Sequence, residues 1–216
     1  MRRRGRSLTL RALCAVLLVA GFPLAAQAAT APAADALSPA AKGFADWVIQ
    51  SDDHQGLPFV IVDKVGARVL AFDSEGRLVD TAPVLLGAAQ GDDSPPGIGD
   101  RALSAIGPED RITPAGRFVA APGRNLKGKA ILWVDYAAAL SLHPVIEGKP
   151  TDRRLERLAT PTTADNRISY GCINVPVSFF EKTVAPLFTA GAGIVYILPE
   201  RRSIAEVFFG KTLTAR

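Results

Sequence analysis

Covalent chemistry in this chain rests on one short segment, Ile168-Ser169-Tyr170-Gly171-Cys172-Ile173-Asn174-Val175-Pro176, and on one histidine upstream of it, His143. A cysteine attacks a carbonyl as the thiolate, so it needs surroundings that favour the anion and a base to take its proton. Cys172 lies a few residues before a helix that Pro176 is expected to open, and unpaired N–H groups at a helix start favour thiolate over thiol. Gly171 lets the backbone approach a substrate closely. The N–H groups of Gly171 and Cys172 are expected to face the oxyanion that thiolate attack creates. The chain has two histidines. His54 sits in the polar turn Ser51-Asp52-Asp53-His54-Gln55-Gly56 and reads as a solvated loop residue. His143 ends the apolar run Leu140-Ser141-Leu142 just before Pro144, and a strand end presents an imidazole rigidly. Cys172 is therefore the candidate nucleophile and His143 the candidate proton acceptor and donor. No metal cofactor is expected, because the histidines and cysteines are too few and too scattered to form a metal cluster.

The compartment sharpens the case for the thiol. Arg2, Arg3, Arg4, Arg6 and Arg11 precede the apolar stretch 12–20, which Gly21 and Pro23 break, and Ala26-Gln27-Ala28 supplies a small-x-small end. This pattern predicts a signal peptide over 1–28 and export to the periplasm or cell envelope. An uncleaved anchor is the alternative, but the run is shorter than the roughly 20 residues a spanning helix needs. Cleavage removes Cys14 and leaves Cys172 as the one thiol, with no partner for an internal disulfide. A lone cysteine in an oxidising compartment is exposed to oxidation, so it asks for a reason to be there.

The remaining elements must hold these two side chains together. Residues 29–37, rich in Ala and Pro, read as a flexible tether. Ser38-Pro39 is an N-cap followed by a first-turn proline, predicting a helix to about Gln50 with Phe44, Trp47 and Val48 on one face. Strands are predicted over 59–63, 67–72 and 77–86 as an antiparallel meander, then over 118–121, 131–136, 140–145 and 194–198. The stretch 87–111 reads as a long loop. Thr151 is expected to cap a short helix carrying Leu155 and Leu158 on one face. Pro176 is expected to open another with Phe180, Val184 and Leu187 turned inward, and 203–209 a terminal one. The division is then 38–56 for the first helix and turn, 57–200 for a catalytic domain, and 201–216 for a C-terminal extension.

Composition fits this reading. The chain has 216 residues, 48% hydrophobic and 21% charged, with 19 Gly and 16 Pro, which suits a turn-rich, mainly β domain. The net charge of +4 is set by the leader: without its five arginines, 20 basic residues face 21 acidic ones. Such a domain has no bulk field to attract nucleic acid. No membrane association is expected after cleavage of the leader, and nothing asks for an obligate partner, so a monomer is expected.

The cysteine segment resembles the signature of the L,D-transpeptidase (YkuD-type) catalytic domain, a histidine followed after a gap by Ser/Thr-His-Gly-Cys-hydrophobic-Asn. Ser169, Gly171, Cys172, Ile173 and Asn174 match it. Thr113-Pro114-Ala115-Gly116-Arg117-Phe118 is similar to the family's Thr-Pro-x-Gly strand start, and the turn Phe72-Asp73-Ser74-Glu75-Gly76-Arg77 to its opening hairpin. The resemblance covers about Phe59 to Pro199. Two features depart from the pattern: Tyr170 stands where the family usually has a second histidine, and the 25 residues between His143 and Ser169 exceed the usual gap. The excess fits an inserted helix over 149–160, a lid or a modifier of acceptor binding. Pro144 also lacks the N–H that another residue would offer after the histidine.

The resemblance implies an L,D-transpeptidase-like β-sandwich or barrel-like fold with a few short covering helices. It implies cross-linking of peptidoglycan stem peptides, in cell-wall biogenesis and cell shape, through a Cys172 thioester with release of D-alanine. Ser169, Tyr170, Gly171 and Asn174 would position the substrate or its oxyanion. Three other readings stay open: a carboxypeptidase or cysteine peptidase that trims stems, a non-catalytic wall-binding module, and an exported β domain with a structural cysteine.

Overall fold

A computed structural model describes residues 37–146 and 148–210; the expected signal peptide, Cys14 and nearly all of the 29–37 tether lie outside them. Its strands explain their own composition. In β1 (Phe59–Asp63), Phe59 and Ile61 face one hydrophobic cluster while Val60 and Val62 face another, so the strand is buried on both sides and apolar almost throughout. β2 (Arg68–Phe72) and β3 (Leu78–Pro83) complete the antiparallel meander. After β4 (Leu86–Gly87) come β5 (Gly116–Arg124), β6 (Ala130–Asp135), β7 (Leu140–Pro144), β8 (Arg167–Ser169), β9 (Ile173–Val175) and β10 (Gly193–Ile197). The sheet order is β3-β2-β1-β10-β5-β6-β7-β9, mixed because β1·β10 and β7·β9 are parallel. A bridge nearly closes it: beyond β3, Leu85 N–H donates to Asn174 O at 2.8 Å, and Asn174 N–H donates to Leu85 O at 2.9 Å. β4 and β8 form a small parallel pair. The protein is mainly β, a large nearly closed mixed sheet with a few short helices.

The closed sheet surrounds one cluster, which includes Val60, Val69, Leu132, Leu142, Ile173, Phe179 and Val195. Outside β1, β2 and β10 a second cluster is covered by α1 (Pro39–Ser51) and joined by Ile204 and Phe208 of α5 (Ile204–Phe208). Ser38 caps α1, accepting from Ala41 N–H at 3.1 Å, and Ser203 with Glu206 caps α5 reciprocally. A third cluster, Leu85, Val145 and Leu158, seats α2 (Arg154–Ala159) beside the edge of β7. α2 starts after Arg153, with Thr151 in a preceding 3₁₀ turn, and Leu155 is exposed while Leu158 is buried. Pro176 precedes α3 (Val177–Phe179) and α4 (Ala185–Leu187), joined by a π turn that buries Phe180 and Val184. His54 is buried, with Nε2 3.3 Å from Ser74 O and its ring against Phe59, so its polar neighbours misrepresent its surroundings.

The stretch 88–115 has little regular structure beyond three 3₁₀ turns, and a buried ion network fixes its path. Lys64 is 1% exposed, and its Nζ donates to Asp92 Oδ1 at 2.8 Å, to Thr113 O at 2.9 Å and to Gly91 O at 2.5 Å. Asp92 also accepts the backbone N–H groups of Glu200, Arg201 and Arg202. Glu200 pairs with Arg167 of β8. Burial alone would raise the Asp92 pKa, but the Lys64 ammonium and these N–H groups hold it down at about 2. A carboxylate depressed this way stabilises the fold above the unfolded-state pKa near 4, and that contribution is lost as pH falls toward 2. Lys64→Met leaves Asp92 buried without its cation and is expected to cost about 3–5 kcal/mol in denaturant unfolding. Asp92→Asn should flatten the stability profile over that acid window; a profile identical to wild type would contradict the assignment.

Candidate functional site

β7 and β9 pair in parallel with His143 opposite Asn174, which brings the histidine beside the chain that leaves Cys172. Cys172 is half-buried and occupies the bend between β8 and β9. β9 and Pro176 separate it from the helix behind, so its anion depends on side chains rather than on a helix start. His143 Nδ1 donates to the carbonyl oxygen of Pro144 at 2.7 Å, leaving Nε2 for the thiol proton. Pro144 thus serves through its carbonyl. Ser141, two residues before His143 on the same face of β7, places its Oγ 3.6 Å from Cys172 Sγ. The thiol also lies 3.6 Å from the carbonyl oxygen of Ala139, in the left-handed region at φ 48°.

The electrostatics favour a charged pair. Burial opposes ionisation of Cys172, but its hydrogen bond to His143, the imidazolium charge, and the Ser141 hydroxyl and N–H bring its pKa below the ordinary thiol value. Burial likewise lowers His143, while the hydrogen bond and charge of Cys172 and the Pro144 carbonyl raise it, for a net rise; Arg154 pulls the other way. A depressed thiol beside a raised imidazole moves the two groups toward thiolate and imidazolium.

The motif residues divide into different tasks. Ser169 is buried and holds the bend: its Oγ donates to Cys172 O at 2.6 Å and accepts the Gly171 N–H at 3.1 Å. The Gly171 N–H is therefore engaged within the bend rather than facing the cleft. Gly171 sits at φ 126°, where a Cβ would meet Ile112 O at 2.8 Å. Its carbonyl accepts from Thr113 Oγ1 at 2.7 Å, and that oxygen in turn accepts the Gly87 N–H at 2.9 Å. Tyr170 stands at the rim with the Arg111 guanidinium 4.0 Å from its ring centre. Asn174 is buried; its Nδ2 donates to Cys172 O at 3.2 Å and lies 3.4 Å from His143 Nε2, and its Oδ1 accepts from Arg154 Nη1 at 3.1 Å. Beside the thiol, Ile98, Ile112, Pro114, Tyr170 and Leu140 line a narrow cleft of about 20 Å³.

Ser141, Arg154 and Thr113 thus join the expected residues. Ser141 was findable from strand alternation with His143; no spacing links Arg154 to the cysteine. Among the described residues there is no group of three or more His, Cys, Asp or Glu that could hold a metal ion, and no helix long and apolar enough to cross a membrane. Comparison with protein-family models, curated proteins and solved structures finds no match.

Ser141→Ala removes a donor to the thiolate, so its thiol pKa rises and the pH profile of iodoacetamide alkylation moves to higher pH. His143→Gln should move it further. An unchanged profile in both would mean that neither side chain touches the thiolate in solution.

Proposed function

We propose that the protein is an exported cysteine acyltransferase acting on peptidoglycan stem peptides, an L,D-transpeptidase. The observation that carries this reading is the meeting of Cys172 with His143 and Ser141, one thiol from the β8–β9 bend and one imidazole from β7, with their pKa values pushed toward an ion pair. The resemblance of the cysteine segment supports stem peptides as the substrate class, and the apolar leader supports export to the periplasm or cell envelope.

In the first half-reaction Cys172 Sγ bonds to the carbonyl carbon of the third stem residue, a diamino acid, and the bond from that carbon to the nitrogen of terminal D-alanine breaks. His143 holds the thiol proton and hands it to the departing amine. With the Gly171 N–H engaged by Ser169, the Cys172 N–H is the donor proposed for the oxyanion. In the second half-reaction a side-chain amine of another stem attacks the thioester; the C–N bond forms, the C–S bond breaks, and the amine proton returns through His143 to sulfur. The product links two third-position residues. Another D-amino acid as acceptor gives exchange.

Hydrolysis is the second reading: the same thioester gives a trimmed stem when water takes the place of the amine. Tetrapeptide-stem muropeptides incubated with the mature domain and with Cys172→Ala separate these by mass spectrometry. A dimer with loss of D-alanine, made only with Cys172 present, is the expected result. Tripeptide without dimer moves the assignment to trimming, and unchanged substrate with both proteins contradicts acyl transfer from this donor.

A further inference from the structure

We infer that Arg154, on α2 between β7 and β8, is a positioning residue that sets the orientation of the Asn174 amide and so keeps a hydrogen-bond acceptor away from His143; the inference rests on the acyl-transfer reading above. A guanidinium only donates, so the amide end it meets must be oxygen. Arg154 Nη1 donates to Asn174 Oδ1 at 3.1 Å, and the NH₂ end therefore faces the pair, 3.2 Å from Cys172 O and 3.4 Å from His143 Nε2. Asn174 is 1% exposed, which leaves bulk water little access to compensate a reversed amide. A reversed amide would set donor against donor at Arg154 and oxygen against oxygen at the Cys172 carbonyl, and would present its oxygen to Nε2. That oxygen would accept from the imidazolium and retain the proton that His143 must give to the leaving amine.

The seat of Arg154 is built into the insertion. Asp152 Oδ2 accepts from Arg154 Nε at 3.1 Å. Gly148, at φ 68°, leaves space that a Cβ would fill, 2.7 Å from Asp152 Oδ2 and 3.1 Å from Arg154 Nε. Leu158, one turn along α2, is buried against Leu85 and Val145. The charged and titratable groups around His143 are Cys172 from the β8–β9 bend, Arg154 from α2 and, behind Arg154, Asp152; Ser141 on its own strand is neutral. The cationic Arg154 disfavours the imidazolium directly, in the same direction as the amide orientation. Both act against the stabilisation that Cys172 gives the imidazolium, which still prevails in the net rise.

NMR titration of the imidazole C–H resonances tests this on the intact mature protein, where His54 and His143 are the two histidines. In Arg154→Met the His143 midpoint should rise by about half a pH unit or more, roughly threefold in proton affinity. Arg154→Lys keeps the charge without the planar fork, and should give a smaller shift in the same direction. In an Asn174→Ala background the Arg154→Met shift should shrink, because no amide remains to reverse. A shift of equal size with and without Asn174 would reduce Arg154 to a bare charge. An unmoved midpoint in both Arg154 variants, with the His54 resonance and the melting curve as fold controls, would overturn the proposal. The titration uses no substrate, so failure of the protein to act on muropeptides would sink the acyl-transfer reading separately.

Discussion

The ammonium of Lys64 is the constraint on which the rest of the site depends. A cation this deeply buried is tolerated only where acceptors surround it, and its acceptors come from chain positions that regular secondary structure would not bring together. Gly91 and Asp92 belong to the start of the long irregular stretch, Thr113 to its end, and Asp92 also gathers the N–H groups that follow β10. Satisfying one charge thereby fixes both ends of 88–115 against the end of β1. Thr113 is the point of transfer, since its carbonyl serves Lys64 and its hydroxyl clamps the carbonyl of Gly171. The bend that carries Cys172 is held from below by this hydroxyl and from within by Ser169.

On that foundation the reactive pair is set by strand register. Parallel pairing of β7 with β9 places His143 opposite Asn174, and strand alternation puts Ser141 on the same face as His143. Burial acts against both charges. What prevails is their proximity to each other, aided by short-range donors to sulfur and by the Pro144 carbonyl on the far side of the ring. Arg154, next to the same imidazole, acts against its charge without reversing the net rise.

Much of this was legible before any coordinates. The apolar strands read over 59–63 and 67–72, the Ser38 cap, and the meeting of Cys172 with His143 follow from residue type, turn signals and the scarcity of alternatives. Three-residue strands such as β8 and β9 leave no periodicity to read, so the region around Cys172 reads as approaching a helix when a strand intervenes. His54 looks solvated because its sequence neighbours are polar, yet Phe59 and Ser74 enclose it through tertiary packing. Lys64 and Arg154 are ordinary surface residue types whose burial depends on partners far along the chain, and one sequence offers no local sign of them. Leu155 shows the reverse error, an apolar residue at helical spacing left outside the small cluster that holds Leu158.

The central claim is that Cys172 becomes the acyl carrier. Intact-protein mass spectrometry on the mature domain quenched with acid shortly after mixing with tetrapeptide-stem muropeptide tests it directly. The predicted result is an adduct equal to the stem minus D-alanine, mapped to Cys172 by peptide sequencing and released by neutral hydroxylamine as a thioester. An adduct on another residue, or D-alanine release that persists in Cys172→Ala, would contradict it.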